Sequence, residues 1–305
     1  MATITTGSFA KALWPGVNSW YGKSYNEHTV EWSALFDSYN SSKNYEEDMG
    51  ITSFGLAVAK PEGTAISYDE ERQGFLTRYT HVVYANGFIV TREMVEDDLY
   101  SVVAQKRAKG LAYSMRQTKE NVAANVYNRA FNSSFTGGDG VELCSTAHVN
   151  VAGGTWANEL TTAADLSEAS LEQSCIDIAK YTDDRGLKIA VHPVTLNIPV
   201  DLSYEAERIL GTPHRVGTAD NDINALYSMG KFPGGVNVNH YFNDTDAWFI
   251  RTDVMDGMKH YQRRPLQFAI DNDFDTENAK FKAIERYSFG WTDPDPRAVY
   301  GSPGA

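Results

Sequence analysis

Chemistry, if this chain performs any, has to start from its histidines, carboxylates, cysteines and glycine-rich turns. The seven histidines, His28, His81, His148, His192, His214, His240 and His260, are scattered. None forms an HxH or HExxH pair or stands at the usual metal-site interval from a carboxylate, so each is read as a packed or surface side chain. Asp271-Asn-Asp-Phe-Asp275 opens like a calcium loop, with carboxylates at its first, third and fifth positions. Thr276 then stands where that loop needs glycine and Lys282 where it needs the bidentate acid, so a carboxylate-rich turn between strands is expected instead. Thr136-Gly-Gly-Asp-Gly140 and Gly153-Gly154 lack the lysine and the strand-to-helix setting of a phosphate loop, and no GxSxG occurs. Cys144 and Cys175 are too few for a disulfide framework or a cysteine zinc site and suit a reducing cytoplasm. No acid, base and nucleophile assemble, so neither an enzyme nor a cofactor is expected. The alternative from that class is a metal-dependent hydrolase built on Asp271, Asp273 and Asp275.

Composition narrows the remaining classes. With 42% apolar and 22% charged residues over 305 positions, the chain is long enough for two domains or one elongated domain and should fold. The formal charge of −13 argues against a nonspecific nucleic-acid binder, which needs cations for phosphates. No run approaches the length of about 18 apolar residues that a membrane span requires. Met-Ala-Thr-Ile-Thr-Thr at the start leads into no apolar signal segment, so no secretion and no membrane association are expected.

The elements that must position these residues follow from periodicity. Residues 1–50 carry Trp14, Trp20, Tyr21, Trp32 and Phe36 in a stretch otherwise rich in Ser, Gly, Asn and Pro, with a short helix over 31–40. Such an arm should bury its aromatics against its own domain or a neighbouring subunit. Residues 51–58 and 75–84 read as the strands of a long hairpin, its tip carrying Pro61-Glu-Gly63 and the cluster Asp69, Glu70, Glu71, Arg72. Ala85-Asn86-Gly87 reads as a second turn. Residues 94–131 then form the organising element, a helix of roughly 57 Å at about 1.5 Å per residue. Val95, Leu99, Val102, Leu111, Met115, Val122, Val126 and Ala130 give it one dry seam. Arg116, Lys119 and Glu120 are assigned to its solvated faces, Thr91 to its N-cap, and Gly110 is its weak point.

Beyond it, Asp165 or Ser167 caps a second helix running to about 182, with Gly186 just past its end. Residues 187–200 are buried strand, with Pro193 and Pro199 at strand ends or edges. Helices are expected over 201–210 and from 221, a strand over 248–252, and antiparallel strands over 266–291. The class is α+β.

This order resembles the major capsid proteins of tailed phages with the HK97-type fold, and most closely the Mu-like major head subunit family. Carrying the resemblance are Tyr68-Asp-Glu-Glu-Arg-Gln-Gly74, Gly87-Phe-Ile-Val-Thr-Arg-Glu-Met-Val-Glu-Asp-Asp-Leu-Tyr100, Asn221-Asp-Ile-Asn224, Asp244-Thr-Asp-Ala-Trp-Phe-Ile250, Asp271-Asn-Asp-Phe-Asp-Thr-Glu-Asn-Ala-Lys-Phe281 and Arg286-Tyr-Ser-Phe-Gly-Trp291. The resemblance implies an N-terminal arm (1–50), an E-loop hairpin (51–90), a P-domain with its spine helix (91–190, helix 94–131), an A-domain (191–256) and C-terminal strands returning to the P-domain (257–305). It further implies a major capsid protein that self-assembles into the hexamers and pentamers of an icosahedral virion shell, built as a procapsid in the host cytoplasm. Portal, scaffold and maturation protease are the implied assembly partners, with a decoration protein as a further one. The shell would enclose double-stranded DNA without sequence-specific binding; the alternative is an encapsulin-like nanocompartment. Trp14, Trp20, Tyr21, Trp32, Lys60, Glu62, Asp69, Glu70, Glu71 and Arg72 are the implied subunit-interface residues. No helical segment precedes the arm, so a fused scaffolding domain is not expected, and nothing marks Lys60 for an intersubunit crosslink.

Overall fold

The computed structural model describes residues 21–305 apart from 24, 92, 94–99, 216–221, 273–277 and 293–295. After a four-residue helix α1 (Trp32–Leu35) come β1 (Asp37–Asn40), β2 (Tyr45–Ile51), β3 (Gln73–Thr80), β4 (Val82–Val90) and the long helix α2 (Tyr100–Asn128). A small ladder, β5 (His148–Val149) and β6 (Thr155–Trp156), precedes α3 (Glu168–Ala179), β7 (Pro193–Pro199), α4 (Ser203–Leu210) and α5 (Ala225–Met229). The chain closes with β8 (Val236–Asn239), β9 (Trp248–Thr252), β10 (Met258–Asn272), β11 (Ala279–Trp291) and β12 (Val299–Ser302).

Two four-stranded sheets carry the molecule, in the orders β1-β10-β11-β4 and β12-β9-β7-β8. In the first, β10 and β11 form a long antiparallel hairpin from Met258↔Trp291 to Asn272↔Ala279. Phe281, Ala283, Glu285 and Tyr287 alternate toward the buried face of β11, where Leu111, Ala112 and Met115 of α2 meet Ala283 and the arm residue Tyr21. The second sheet packs Leu196, Ile198, Trp248, Ile250 and Tyr300 against Leu171, Cys175 and Ile178 of α3 and against Ala206, Ile209 and Leu226 of α4 and α5. A third cluster, with Leu35, Phe36, Tyr127, Leu143, Cys144, Phe249, Met258 and Val299, ties the end of α2 to both sheets.

Local signals explain where several elements start and stop. Ser167 caps α3 by accepting from the Ser170 N–H while the Ser170 hydroxyl accepts from the Ser167 N–H, a reciprocal box. Asn224 caps α5, and Gly230 ends it in the left-handed conformation at φ 58°. Pro193 and Pro199 are the first and last residues of β7, as their missing N–H groups require.

Elsewhere the structure corrects the sequence reading. The first hairpin strand is Tyr45–Ile51 rather than 51–58, and residues 52–72 belong to neither strand nor helix. Helix α2 ends at Asn128, three residues short of the expected end, and α3 ends at Ala179 rather than about 182. Strand β10 begins at Met258 instead of 266 and carries Pro265 through a register irregularity between Arg264 and Gln267, a place where a missing ladder donor is tolerated. β12 pairs with β9 and so joins the second sheet.

Ala85-Asn86-Gly87 makes no turn. Each pairs across β4 and β11, with Ile284, Ala283 and Lys282 respectively. A Cβ on Gly87 would lie 2.5 Å from the Phe281 carbonyl oxygen, so glycine is there for close backbone approach. Gly87→Val is therefore expected to destabilise the chain by about 1–3 kcal/mol, read as a lower urea midpoint. A raised midpoint, the ordinary outcome of removing a glycine from a strand, would show that β4 moves away from β11 at no cost.

The solvated faces assigned to the long helix are also corrected. Arg116, Lys119 and Glu120 are buried, Glu120 being only 1% exposed. Tyr25, Glu31 and Trp32 lie over them, so what would be a surface face becomes an interior one. Glu120 accepts backbone N–H bonds from Glu31 at 3.3 Å and Trp32 at 2.9 Å. Arg116 lies 4.0 Å over the Tyr25 ring and donates to the Tyr25 carbonyl at 3.2 Å. Burial raises the Glu120 carboxyl above its ordinary range, against the two N–H donors.

Candidate assembly interface

Residues 52–72 leave β2 and return to β3 at the same end of the ladder, where Ile51 pairs with Gln73, with no sheet partner between. Their apolar side chains consequently face outward: Phe54, Leu56, Val58, Ile66 and Tyr68 are exposed, Tyr68 by 87% and Leu56 by 79%. A monomer seldom leaves so many large apolar groups together in water unless a partner covers them. Pro61-Glu62-Gly63 turns the tip, with Gly63 at φ 81° and the Thr64 N–H donating to the Pro61 carbonyl at 3.3 Å.

The base of this loop is held by polar contacts. The Thr52 N–H donates to the Arg72 carbonyl, and the Arg72 N–H to the Thr52 hydroxyl, each at 2.9 Å. Asp69 Oδ2 accepts from the Gly55 N–H at 2.6 Å and from Arg185 Nη1 at 2.5 Å, while Arg185 Nη2 donates to the Glu70 carbonyl. Ser53 donates to Asp183 at 2.9 Å. The Gly55 and Glu70 N–H groups, with Arg185 behind them, hold the Asp69 carboxyl below its ordinary range. Thr52, Tyr68, Asp69, Glu70, Arg72, Ala152 and Arg185 line an open cleft at this base.

The interface residues singled out in the sequence thus separate into groups. Asp69, Glu70 and Arg72 come together at the loop base, Glu71 is exposed beside them, and Lys60 and Glu62 sit at the exposed tip. Tyr21 and Trp32 instead pack within their own chain. Tyr21 stacks on Phe268 at 4.5 Å, and Trp32 lies 4.4 Å from the His260 ring and 5.6 Å from Phe289. Trp14 and Trp20 lie outside the described residues, as do Asp273 and Asp275 of the aspartate cluster. Among the described residues, no three His, Cys, Asp or Glu side chains group as a metal site.

Sequence reasoning missed a second exposed apolar set, Tyr204, Ile223 and Met229, on and beside α4 and α5. Its signal was available: Ala206 and Ile209 take the buried stripe of α4, which leaves Tyr204 on the opposite side.

A loop carrying unburied apolar side chains suits a subunit that completes itself against copies. The family model described as phage capsid protein matches residues 76–302. The chain belongs to the phage capsid protein family. Solved structures agree on the α+β, HK97-type capsid fold. The virus-like particle of Pyrococcus furiosus is 10% identical with a TM-score of 0.53, covering 94% of this chain and 97% of its own. The Mycobacterium phage Che8 structure is 13% identical at 0.51, covering 90% of each chain. The procapsid of bacteriophage JBD30 is 10% identical at 0.51, covering 98% of this chain and 76% of its own. Among curated proteins, photosystem I P700 chlorophyll a apoprotein A2 of Selaginella uncinata is 25% identical over 213 residues, 68% of this chain. The capsid protein spans only about a quarter, 27%, of that relative's length. Among the described residues of this capsid protein, no helix is long and apolar enough to cross a membrane.

Proposed function

We infer that this is the major capsid protein of a tailed double-stranded DNA phage, of the Mu-like head subunit kind, closing into hexamers and pentamers of an icosahedral shell. The observation that carries this reading is the 52–72 loop, whose apolar side chains have no cover within the chain. Heterologous contacts of this kind, each subunit's loop on the next subunit's body, generate closed rings when the rotation closes. Residues 1–50 serve as the arm, 51–90 as the E-loop, 91–190 as the P-domain, 191–256 as the A-domain and 257–305 as the returning strands. Portal, scaffold, maturation protease and decoration protein are the partners of that assembly, and an acidic chain suits a container that must not grip its DNA.

Replacing Leu56, Val58 and Ile66 together by serine tests this without touching the core. Burying each such side chain at a contact is worth about 1.5–3 kcal/mol. The triple variant is therefore expected to keep wild-type stability, yet to give no shells by electron microscopy under conditions where wild type assembles. Normal shells would contradict the assigned role of the loop. An encapsulin-like compartment is the second reading, favoured by the likeness to the Pyrococcus furiosus virus-like particle. Nuclease-protected DNA inside native particles rejects it, and an enclosed protein cargo without DNA supports it.

A further inference from the structure

Lys119 belongs to a surface helix by sequence but is 6% exposed in the fold. Its Nζ lies 4.9 Å from the Trp32 ring centre and 5.0 Å from that of Tyr287. It donates to Gln262 Oε1 at 2.7 Å and stands 3.6 Å from Glu285 Oε2. The Gln262 amide has only one sensible orientation, because its Nε2 donates to the Arg264 carbonyl at 2.7 Å. The carbonyl side of the amide, not its nitrogen, therefore faces the amine. Glu285 is 1% exposed and is held by the Tyr25 hydroxyl, which donates to Oε1 at 2.9 Å. Since a C=O bond is about 1.23 Å long, Nζ can be no more than about 4 Å from the Gln262 carbonyl carbon, near attack distance. Burial lowers the Lys119 pKa, with Glu285 opposing, so the neutral and nucleophilic amine is more accessible than on a surface lysine.

An amine, an amide carbonyl and a carboxylate thus meet beside the Trp32 and Tyr287 rings, with the amine and the carboxylate both buried. From this geometry we propose that Lys119 and Gln262 of the same chain become joined by an isopeptide bond, formed by the folded chain itself with Glu285 as the proton acceptor. One ammonium proton passes to Glu285, leaving Nζ neutral. Nζ forms its bond to the Gln262 carbonyl carbon Cδ, and the Cδ–Nε2 bond breaks. A second proton shed by Nζ goes to the departing Nε2, which leaves as ammonia, while Glu285 remains protonated and the third hydrogen stays on the new amide. No oxidant or cofactor enters. The product ties α2 to β10 across 143 residues of chain, a restraint on the unfolded state of the kind a disulfide supplies.

The test uses the wild-type chain. Its intact mass under denaturing conditions is expected to fall below the sequence mass by one ammonia, about 17 Da. Trypsin should fail to cut after Lys119, and tandem mass spectrometry should find one branched peptide containing Lys119 and Gln262. Glu285→Gln, folded by circular dichroism, should return to the mass of its own sequence with cleavage after Lys119 restored. A wild-type mass equal to the sequence, with ordinary cleavage after Lys119, overturns the proposal. A deficit of one water, about 18 Da, with Glu285 in the branched peptide, overturns Gln262 as the acceptor.

Discussion

Asn158→Leu is expected to lower unfolding stability by about 4 kcal/mol, the sum of several buried polar groups each costing about 1–3 kcal/mol when orphaned, less relaxation. Asn158 is fully buried, and its side chain serves both sides of a joint. Its Oδ1 accepts from the Ser145 N–H at 2.8 Å and from His148 Nε2 at 3.0 Å. Its Nδ2 donates to the Leu143 carbonyl at 2.7 Å and to the Val299 carbonyl at 3.1 Å. His148 in turn bonds Asp139 at 2.7 Å and stacks on Trp156 at 4.7 Å. Leucine has the same number of side-chain heavy atoms, branched at the same place, but satisfies none of these partners, so the loop after α2 loses its hold on β12. Urea unfolding should show a lower midpoint with an unchanged slope, which separates lost stability from a changed unfolded state. A loss below about 1 kcal/mol would mean that water replaces the amide, which a site this closed should not allow.

His260→Phe should have its effect in acid. The imidazole is buried beneath Trp32 and Phe289, bonded through Nδ1 to Ser38 at 2.9 Å. Burial, with Lys119 adding to it, pushes its pKa down to about 3. A depressed value means that the folded state holds the ring neutral while the unfolded chain takes up a proton below about 6.5. The stability His260 contributes is therefore present above about pH 6.5 and is lost as the pH falls toward 3. At about 1.4 kcal/mol per pH unit, the wild type should lose about 3 kcal/mol between pH 6.5 and 4 through this group alone. Phenylalanine keeps the ring stacking and cannot titrate, so the variant's stability should fall less steeply over that range. Parallel pH profiles for the two proteins would show that His260 becomes protonated without unfolding its surroundings. His81, lowered chiefly by burial, pulls in the same direction in both proteins and cancels from the comparison.

Much of this molecule is written locally. Helix α2, the Ser167 cap, the prolines bounding β7, the strand Trp248–Thr252 and the antiparallel C-terminal pair follow from periodicity and end signals within a few residues of each element. The acidic balance and the family resemblance are likewise properties of the chain alone.

Tertiary structure decided what lies opposite what. Nothing near β1 says that it pairs in parallel with β10, some 220 residues onward, or that Ala85-Asn86-Gly87 sits inside a ladder with β11 instead of turning. β12 crosses to the second sheet for the same kind of reason: strand pairing is a contact between distant segments and leaves no periodic mark at either one. Burial at Arg116, Lys119 and Glu120 is the sharpest case. Helical spacing puts them on a polar face, and only the arm that folds over that face makes it an interior. A sequence states which side of a helix is apolar; whether its polar side meets water depends on another segment, whose approach is settled when the whole chain folds.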